Sequence, residues 1–417
     1  MRKTLSIAFI VRDPLPPLRA DVLTLFGAEM PRYGIHADLV GQSGSEAPAP
    51  WPAGGMHAVG SLRSRFASIL SPFWDLRGLL RARRRVRPDC IQVRDKIASG
   101  LVGRMAAAVL GVPFLYWMSF PIVEGFEVRR DEFKRRRRGA KAGLTWFAHA
   151  LRAAASRFVI YKLVLPGARH IFVQSDAMAD WLARQGFDRA RMTAVPMGVD
   201  AALFDRGTVE PVHDPRLDGR RVVLYLGRIA QSRRSDFLLD VTEALRKDVP
   251  DVLMVIAGDA ASNDEMDWMR AEIARRGLDA HVLLTGWLPQ RTALGYAVRA
   301  EVGLSPIPRG TLFDVSSPTK LVEYLALGIP SVANDIPDQR LVIEQSGSGL
   351  CAPMEPAPFA AAVRRLLDDP ALAAEFAKRG PAYVRSHRTY AILGRIVAET
   401  YTRILPERLP ERLPERT

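Results

Sequence analysis

Short apolar runs recur along the chain, each separated from the next by a stretch with helical spacing. The first set is SIAFIV (6–11), ADLV (37–40), CIQV (90–93), FLYWM (114–118), HIFVQ (170–174) and TAVPM (193–197). Most are apolar throughout rather than alternating, as expected of strands buried on both faces in a parallel sheet covered by helices. After a polar, Pro-containing stretch over 205–220 the alternation begins afresh. Its strands are VVLYLG (222–227), VLMVIAG (252–258), HVLLTG (281–286), VGLSPI (302–307), PSVAND (330–335) and GLCAP (349–353). A composition break followed by a renewed strand series predicts two α/β domains, 1–205 and 206–380, then a helical segment 381–404 and an exposed LPER-repeat tail 405–417. The expected architecture is two Rossmann-like, doubly wound parallel sheets facing a cleft. Ligands of such sheets bind beyond the carboxyl ends of the strands, which puts weight on the loops after Gly227, Gly286, Ile307 and Asp335.

Length agrees with this division, because 417 residues exceed what one core holds. Hydrophobic residues at 48% and charged residues at 25% exclude a disordered or fibrous chain. Cys90 and Cys351 are far apart in sequence and read as two reduced core thiols rather than a disulfide framework or metal knuckle. The opening MRKTLSIAFIVRDP reads as a first strand, since its apolar run is interrupted at once by Arg12 and Asp13. No run is long and apolar enough for a membrane-spanning helix. Net charge is +14, and it is concentrated. Residues 63–87 carry eight Arg against Asp75, and residues 129–162 carry eleven Arg or Lys against Asp131 and Glu132, so the rest of the chain is slightly acidic. Such asymmetry calls for an anionic partner on the first half alone.

The most informative local stretch is FDVSSPTKLVEYLALGIPSVAND, 313–335. Ser317 is placed as an N-cap and Pro318 as a first helical residue, so that the N–H groups of Thr319 and Lys320 form an anion site suited to a diphosphate. Glu323, further along this helix, is positioned to receive two hydroxyls such as those of a ribose; the alternative is a partly buried Glu paired with Lys320. GRIAQSRRSD, 227–236, brings Arg228, Arg233 and Arg234 to the end of a buried strand, where guanidinium groups suit a departing diphosphate. A solvated basic turn is the competing account. No G-x-G-x-x-G, P-loop lysine, Asp-x-Asp pair or His/Cys ligand cluster occurs, so a dehydrogenase, an NTPase and a metal-held diphosphate are not indicated. Within 126–165, Phe147, Leu151, Ala154, Phe158 and Tyr161 recur at helical spacing beside a cationic run. This predicts contact with an anionic membrane surface, against a core helix with a basic flank; a nucleic-acid partner is not expected.

YLGRI (225–229), IAGD (256–259), TGWLP (285–289), SPTKLVEYLALGIPSVAND (317–335) and VPMGVD (195–200), in this combination, resemble glycosyltransferase family 4 over residues 4–404. The resemblance implies the GT-B fold and retention of anomeric configuration, with a nucleoside-diphosphate sugar as donor and no cofactor. Arg228 and Arg233 take the places of the paired basic residues on the diphosphate, Glu323 that of the ribose carboxylate, and Thr319 to Leu321 that of the backbone meeting the phosphates. Gly227, Arg234, Trp287, Leu288, Ser317, Pro318 and Lys320 complete the implied donor site. The family's second Glu, eight residues before Glu323, is replaced by Val315, which makes Asp314 the nearest acid; its acceptor-domain His is absent where Met118 and Ser119 stand. The glycine-rich first loop is replaced by RDPLPPLRAD, which assigns Arg19 and Asp21, with Ser119, to the acceptor side. The implied protein is a cytoplasmic, membrane-peripheral hexosyltransferase building envelope or extracellular polysaccharide on a glycan or lipid-linked acceptor. An epimerase on the same fold and a non-catalytic membrane scaffold are the alternatives.

Overall fold

A computed structural model describes residues 4–44, 50–136 and 140–407, apart from the side chains at 129 and 131–144. The chain divides into two compact units, Met1–Pro196 with Tyr390–Thr417, and Met197–Thr389. Each is built on one parallel sheet flanked by helices.

In the first unit the strands are β1 (Leu5–Ile10), β2 (Ile35–Ser43), β3 (Met56–Ser61), β4 (Cys90–Arg94), β5 (Phe114–Met118), β6 (His170–Val173) and β7 (Met192–Ala194). They lie in the order β3-β2-β1-β4-β5-β6-β7. β3 is the strand that sequence patterning misses. Its MHAVGS is a half-exposed edge segment with a glycine and a histidine, so it lacks the apolar run that marks its neighbours. In the second unit the strands are β8 (Arg221–Leu226), β9 (Val252–Ala257), β10 (Val282–Gly286), β11 (Val302–Ser305), β12 (Ser331–Ala333) and β13 (Leu350–Cys351), in the order β10-β9-β8-β11-β12-β13. Both sheets therefore share the Rossmann winding, with the strand order reversing between β1 and β4 and between β8 and β11. Among the described residues, no helix is long and apolar enough to cross a membrane.

The units divide at 196/197 and 389/390 rather than at 205/206 and 380/381. Residues 197–204 join the second unit because their backbone is tied there: Met197 N–H donates to Ser317 Oγ at 3.0 Å and Val199 N–H to the Arg388 carbonyl at 2.9 Å. The last helix, Tyr390–Ile404, packs into the first unit's core, where Leu393, Val397 and Tyr401 join Phe9, Phe26, Trp117 and Phe172. A side chain at Gly394 would lie 2.9 Å from Glu29 Cβ, so the absence of one is what lets this helix approach. Tyr401 donates its hydroxyl to Gln92 Oε1 at 2.5 Å, both groups fully buried.

Two further expectations change. Cys90 is buried, but Cys351 is exposed on the short edge strand β13. In the helix Ala140–Phe158, Phe147, Leu151, Ala154 and Phe158 face solvent, whereas Tyr161 turns inward and donates to Glu124 at 3.0 Å. Burial and the Glu124 carboxylate push its phenol well above the usual tyrosine range. Of the LPER tail, residues 408–417 lie outside the described residues.

Tyr401→Phe leaves Gln92 Oε1 without its buried donor while Gln92 Nε2 already lacks an acceptor. We expect a loss of about 1–3 kcal/mol in denaturant-induced unfolding of the first unit, with little change in the second.

Candidate functional site

In the second unit the site grows from the carboxyl end of β8. Gly258, which follows β9, has φ +155°, and a side chain there would lie 2.1 Å from the Gly227 carbonyl oxygen. This contact presses the end of β8 against the end of β9. Gly227 in turn leaves room for Lys320, whose Cε would meet a Gly227 side chain at 2.8 Å. The helix Thr319–Ala326 is fixed to the same strand end by Tyr324, a fully buried residue whose hydroxyl accepts the Leu226 N–H at 2.7 Å. The loop after β11 is held by Asn334, which accepts from Ile307 N–H and donates to Ile307 O, both at 2.7 Å.

Ser317 is not the N-cap of helix 319–326. That position falls to Pro318, and no side chain caps the helix. The Ser317 hydroxyl instead donates to Asp338 Oδ2 at 2.7 Å, and Asp338 also takes Arg388 Nη2 at 2.8 Å, all three residues being buried. A charge-assisted bond to a buried carboxylate outcompetes a neutral cap, and it holds the loop from behind. The first-turn N–H groups, from Thr319 to Leu321, have no intrahelical acceptors and keep the positive end of the helix dipole open.

Three cations accompany this open helix start. Lys320 is buried, with its ammonium 5.0 Å from the centre of the Tyr225 ring and no carboxylate within ion-pair distance among the described residues. Arg228 and Arg233 are exposed, and neither guanidinium has an ion pair or hydrogen bond to the protein among the described residues. Arg234 differs: it has a left-handed backbone, φ +53°, and pairs with Asp236 at 3.3 Å. Glu323 makes no ion pair with Lys320, contrary to the alternative considered from sequence. Burial pushes its carboxyl up to about 7, with the Lys320 charge acting in the other direction. A carboxyl so placed, with no protein partner for its oxygens among the described residues, has hydrogen-bonding capacity to give to a ligand.

The other expected residues are distributed unevenly. Trp287 is 73% exposed after the left-handed Gly286, and Leu288 is partly buried. Asp314 is engaged by Arg309 at 2.8 Å, and Arg309 also reaches Asp335 at 3.1 Å, so its carboxylate is already satisfied. Val315, where the family pattern has Glu, is buried.

In the first unit, Arg19, Asp21 and Ser119 are brought together beyond β1, β4 and β5 by a residue that sequence reasoning missed. Arg94, wholly buried at the end of β4, donates to Asp21 at 2.5 Å and to Ser119 Oγ at 3.2 Å. Arg19 also donates to Asp21, at 2.9 and 3.0 Å. Burial opposes ionisation of Asp21, but Arg94 and Arg19 outweigh it and hold the carboxyl well below the usual range. Asp95, in the left-handed region at φ +51°, accepts the Ser119 N–H at 2.8 Å and also takes the Ser119 hydroxyl. For neighbouring Asp13 burial prevails over Arg94 and Arg19, and its pKa is raised. The signal available in sequence was the Arg-Asp pair ending the apolar run CIQV, an uncommon place for charge unless it is used.

Comparison with known proteins places each unit. Residues 20–198 match the model of a glycosyl transferase 4-like domain, and residues 220–369 that of glycosyl transferases group 1. An alpha-D-kanosaminyltransferase of Streptomyces kanamyceticus is 28% identical over 189 residues, 45% of this chain and 47% of the relative. A phosphatidyl-myo-inositol mannosyltransferase of Mycolicibacterium smegmatis is 30% identical over 200 residues, 46% and 47%. The match thus spans about half the length of these curated relatives. The crystal structure of Anabaena HepE in complex with UDP-glucose superposes with a TM-score of 0.65 at 16% identity, covering 96% of this chain and all of that one. Two parallel-sheet units and this likeness make the fold the GT-B fold.

Because the Glu323 carboxyl titrates near 7 in the folded protein against an ordinary 4.5, the fold favours its protonated form. That stabilisation is complete below the ordinary value and is lost as pH rises through about 7. We expect Glu323→Gln to gain up to about 3 kcal/mol over the wild type on going from pH ~4 to ~8, read from denaturant unfolding at each pH. Parallel pH profiles for the two proteins would refute the assignment.

Proposed function

We propose that this chain is a retaining glycosyltransferase that moves a sugar from a nucleoside diphosphate to a glycan or lipid-linked acceptor, without a metal ion. The observation that carries the reading is the set of cations without an ion pair among the described residues, Lys320, Arg228 and Arg233, with an uncapped helix start at the strand-order reversal of the second sheet. Unpaired positive charge held by the fold is suited to an anion that gains charge during reaction, because its stabilisation grows as the bond to the leaving group breaks. In this reading the N–H groups of Thr319 to Leu321 and the three cations hold the diphosphate, and Gly227 lets it approach the backbone. Glu323 receives the ribose hydroxyls, while Trp287 and Leu288 flank the base. The departing diphosphate takes the proton of the acceptor hydroxyl on the same face as the new bond forms, so no protein nucleophile is needed. Arg19, Asp21 and Ser119 serve the acceptor side. The names of the relatives, a kanosaminyltransferase and a mannosyltransferase, and the UDP-glucose bound to HepE favour a nucleotide-sugar donor.

The proposed setting is envelope or extracellular polysaccharide assembly on the cytoplasmic face of a membrane, with residues 126–165 against anionic lipid. Phe147 and Leu151, each 60% exposed on one helix face, support that contact.

A thermal-shift panel of UDP, GDP and ADP, followed by their sugars, should give selective stabilisation by one nucleotide and its sugar. Arg233→Ala should lower kcat/KM by about 100- to 1,000-fold, the range for removing one positioned donor from a developing anion, with unfolding unchanged. Near wild-type turnover in that variant sinks the assignment of Arg233. Epimerised sugar formed without any acceptor would transfer the reading to an epimerase.

A further inference from the structure

The helix Ala67–Arg85 has two faces with opposite fates. Its inner face is committed to the first sheet. Trp74 covers Gly60, where a side chain would lie 2.3 Å from the indole, and Gly78 lies against Val40. Asp75, fully buried, accepts from Gln42 Nε2 at 2.7 Å and from Lys96 Nζ at 2.8 Å. Leu79 and Ala82 complete that face.

The outer face is apolar as well, and nothing among the described residues covers it. Ile69 and Phe73 are each 68% exposed, Leu80 50% and Phe66 49%, with Leu70 and Leu76 alongside. At 100° per residue these six positions fall within a stripe of about 120°, opposite the buried one. Arg81 and Arg83 flank it on either side, while Arg77 and Arg84 fall within it, where long side chains can carry their charge outward to the surface. Arg63, Arg77, Arg83, Arg84 and Arg87 have no ion-pair partner among the described residues, and Arg65 lies 4.8 Å from the centre of the Phe66 ring. Arg85 is the one neutralised, by Asp38 at 2.6 Å. A contiguous stripe of exposed apolar side chains rimmed by charge is the kind of surface that marks a contact.

We propose that helix 67–85 docks flat on an anionic phospholipid surface, its stripe entering the acyl boundary and its arginines meeting the phosphates. Charge decides the occupant. A second copy of the chain would set two rows of unpaired arginines against each other, whereas an anionic bilayer offers apolar depth beneath a plane of negative charge. A nucleic acid would match the arginines but leave the leucine-rich stripe without an apolar partner. The rod, about 28 Å long at 1.5 Å per residue, lies in the membrane plane rather than across it. This site is separate from residues 126–165 and does not depend on the proposed sugar transfer.

The test is co-sedimentation of the full chain with phosphatidylcholine vesicles, with and without about one third phosphatidylglycerol, at low and high salt. We expect binding to the anionic vesicles alone, reduced by salt, and weakened at least about tenfold by Phe73→Glu or Ile69→Glu. Both residues are exposed, so thermal unfolding and nucleotide-induced stabilisation should match the wild type. Leu151→Glu is the companion variant. If Phe73→Glu binds as the wild type does while Leu151→Glu does not, the docking site proposed here is overturned and the 126–165 contact stands; the reverse result supports it and removes the other. Equal binding to neutral vesicles, or a wild-type dimer that Phe73→Glu makes monomeric without altering lipid binding, also overturns it.

Discussion

A parallel strand whose two neighbours are reached by crossovers on opposite faces has an uncovered carboxyl end, and β8 is that strand in the second sheet. The groups around the start of the 319–326 helix are attached to that opening. Gly258 and Gly227 bring the strand ends close, Tyr324 bonds the 319–326 helix to the last residue of β8, and Asn334 fixes the next loop. Were the strand order not reversed there, a crossover helix would occupy the space in which Lys320 and the open helix start now lie.

What the fold tolerates at this point is informative about what it is for. Lys320 is buried with no ion pair among the described residues, and Glu323 is held with a carboxyl that is neutral over much of the acidic range. Each is an unfavourable arrangement in an empty protein, since buried charge is costly unless paired. The first unit solves the same problem differently: Arg94, Arg19, Asp21 and Asp95 pair with one another in a dense cluster, although two Arg94 nitrogens make no hydrogen bond among the described residues. At the strand ends, then, the second unit leaves Arg228 and Arg233 without a protein partner among the described residues, whereas the first pairs its charges there.

The periodicity of the chain foretold twelve of these strands, most of them because a strand buried on both faces must be apolar along its whole length, and that is a local property. β3 escaped because an edge strand needs only one packed face. Arg228, Arg233 and Glu323 were legible as residue types in a spacing, and their freedom from protein partners was not. The same limit explains Ser317. Its sequence context is that of an N-cap, yet Asp338, Arg388 and Met197 are remote in the chain and adjacent in the fold, and they claim its hydroxyl.

By itself the sequence determined the α/β alternation, the two sheets and the concentration of positive charge in the first half, all of which follow from local composition and period. Tertiary structure alone decided which charges are paired, which carboxyl is pushed toward neutrality, and that the second apolar face of helix 67–85 meets no part of the described protein. The physical reason is that pairing and burial depend on which distant residues arrive beside a group. The energy of a buried lysine or an exposed phenylalanine is therefore set by neighbours that its own stretch of chain does not contain.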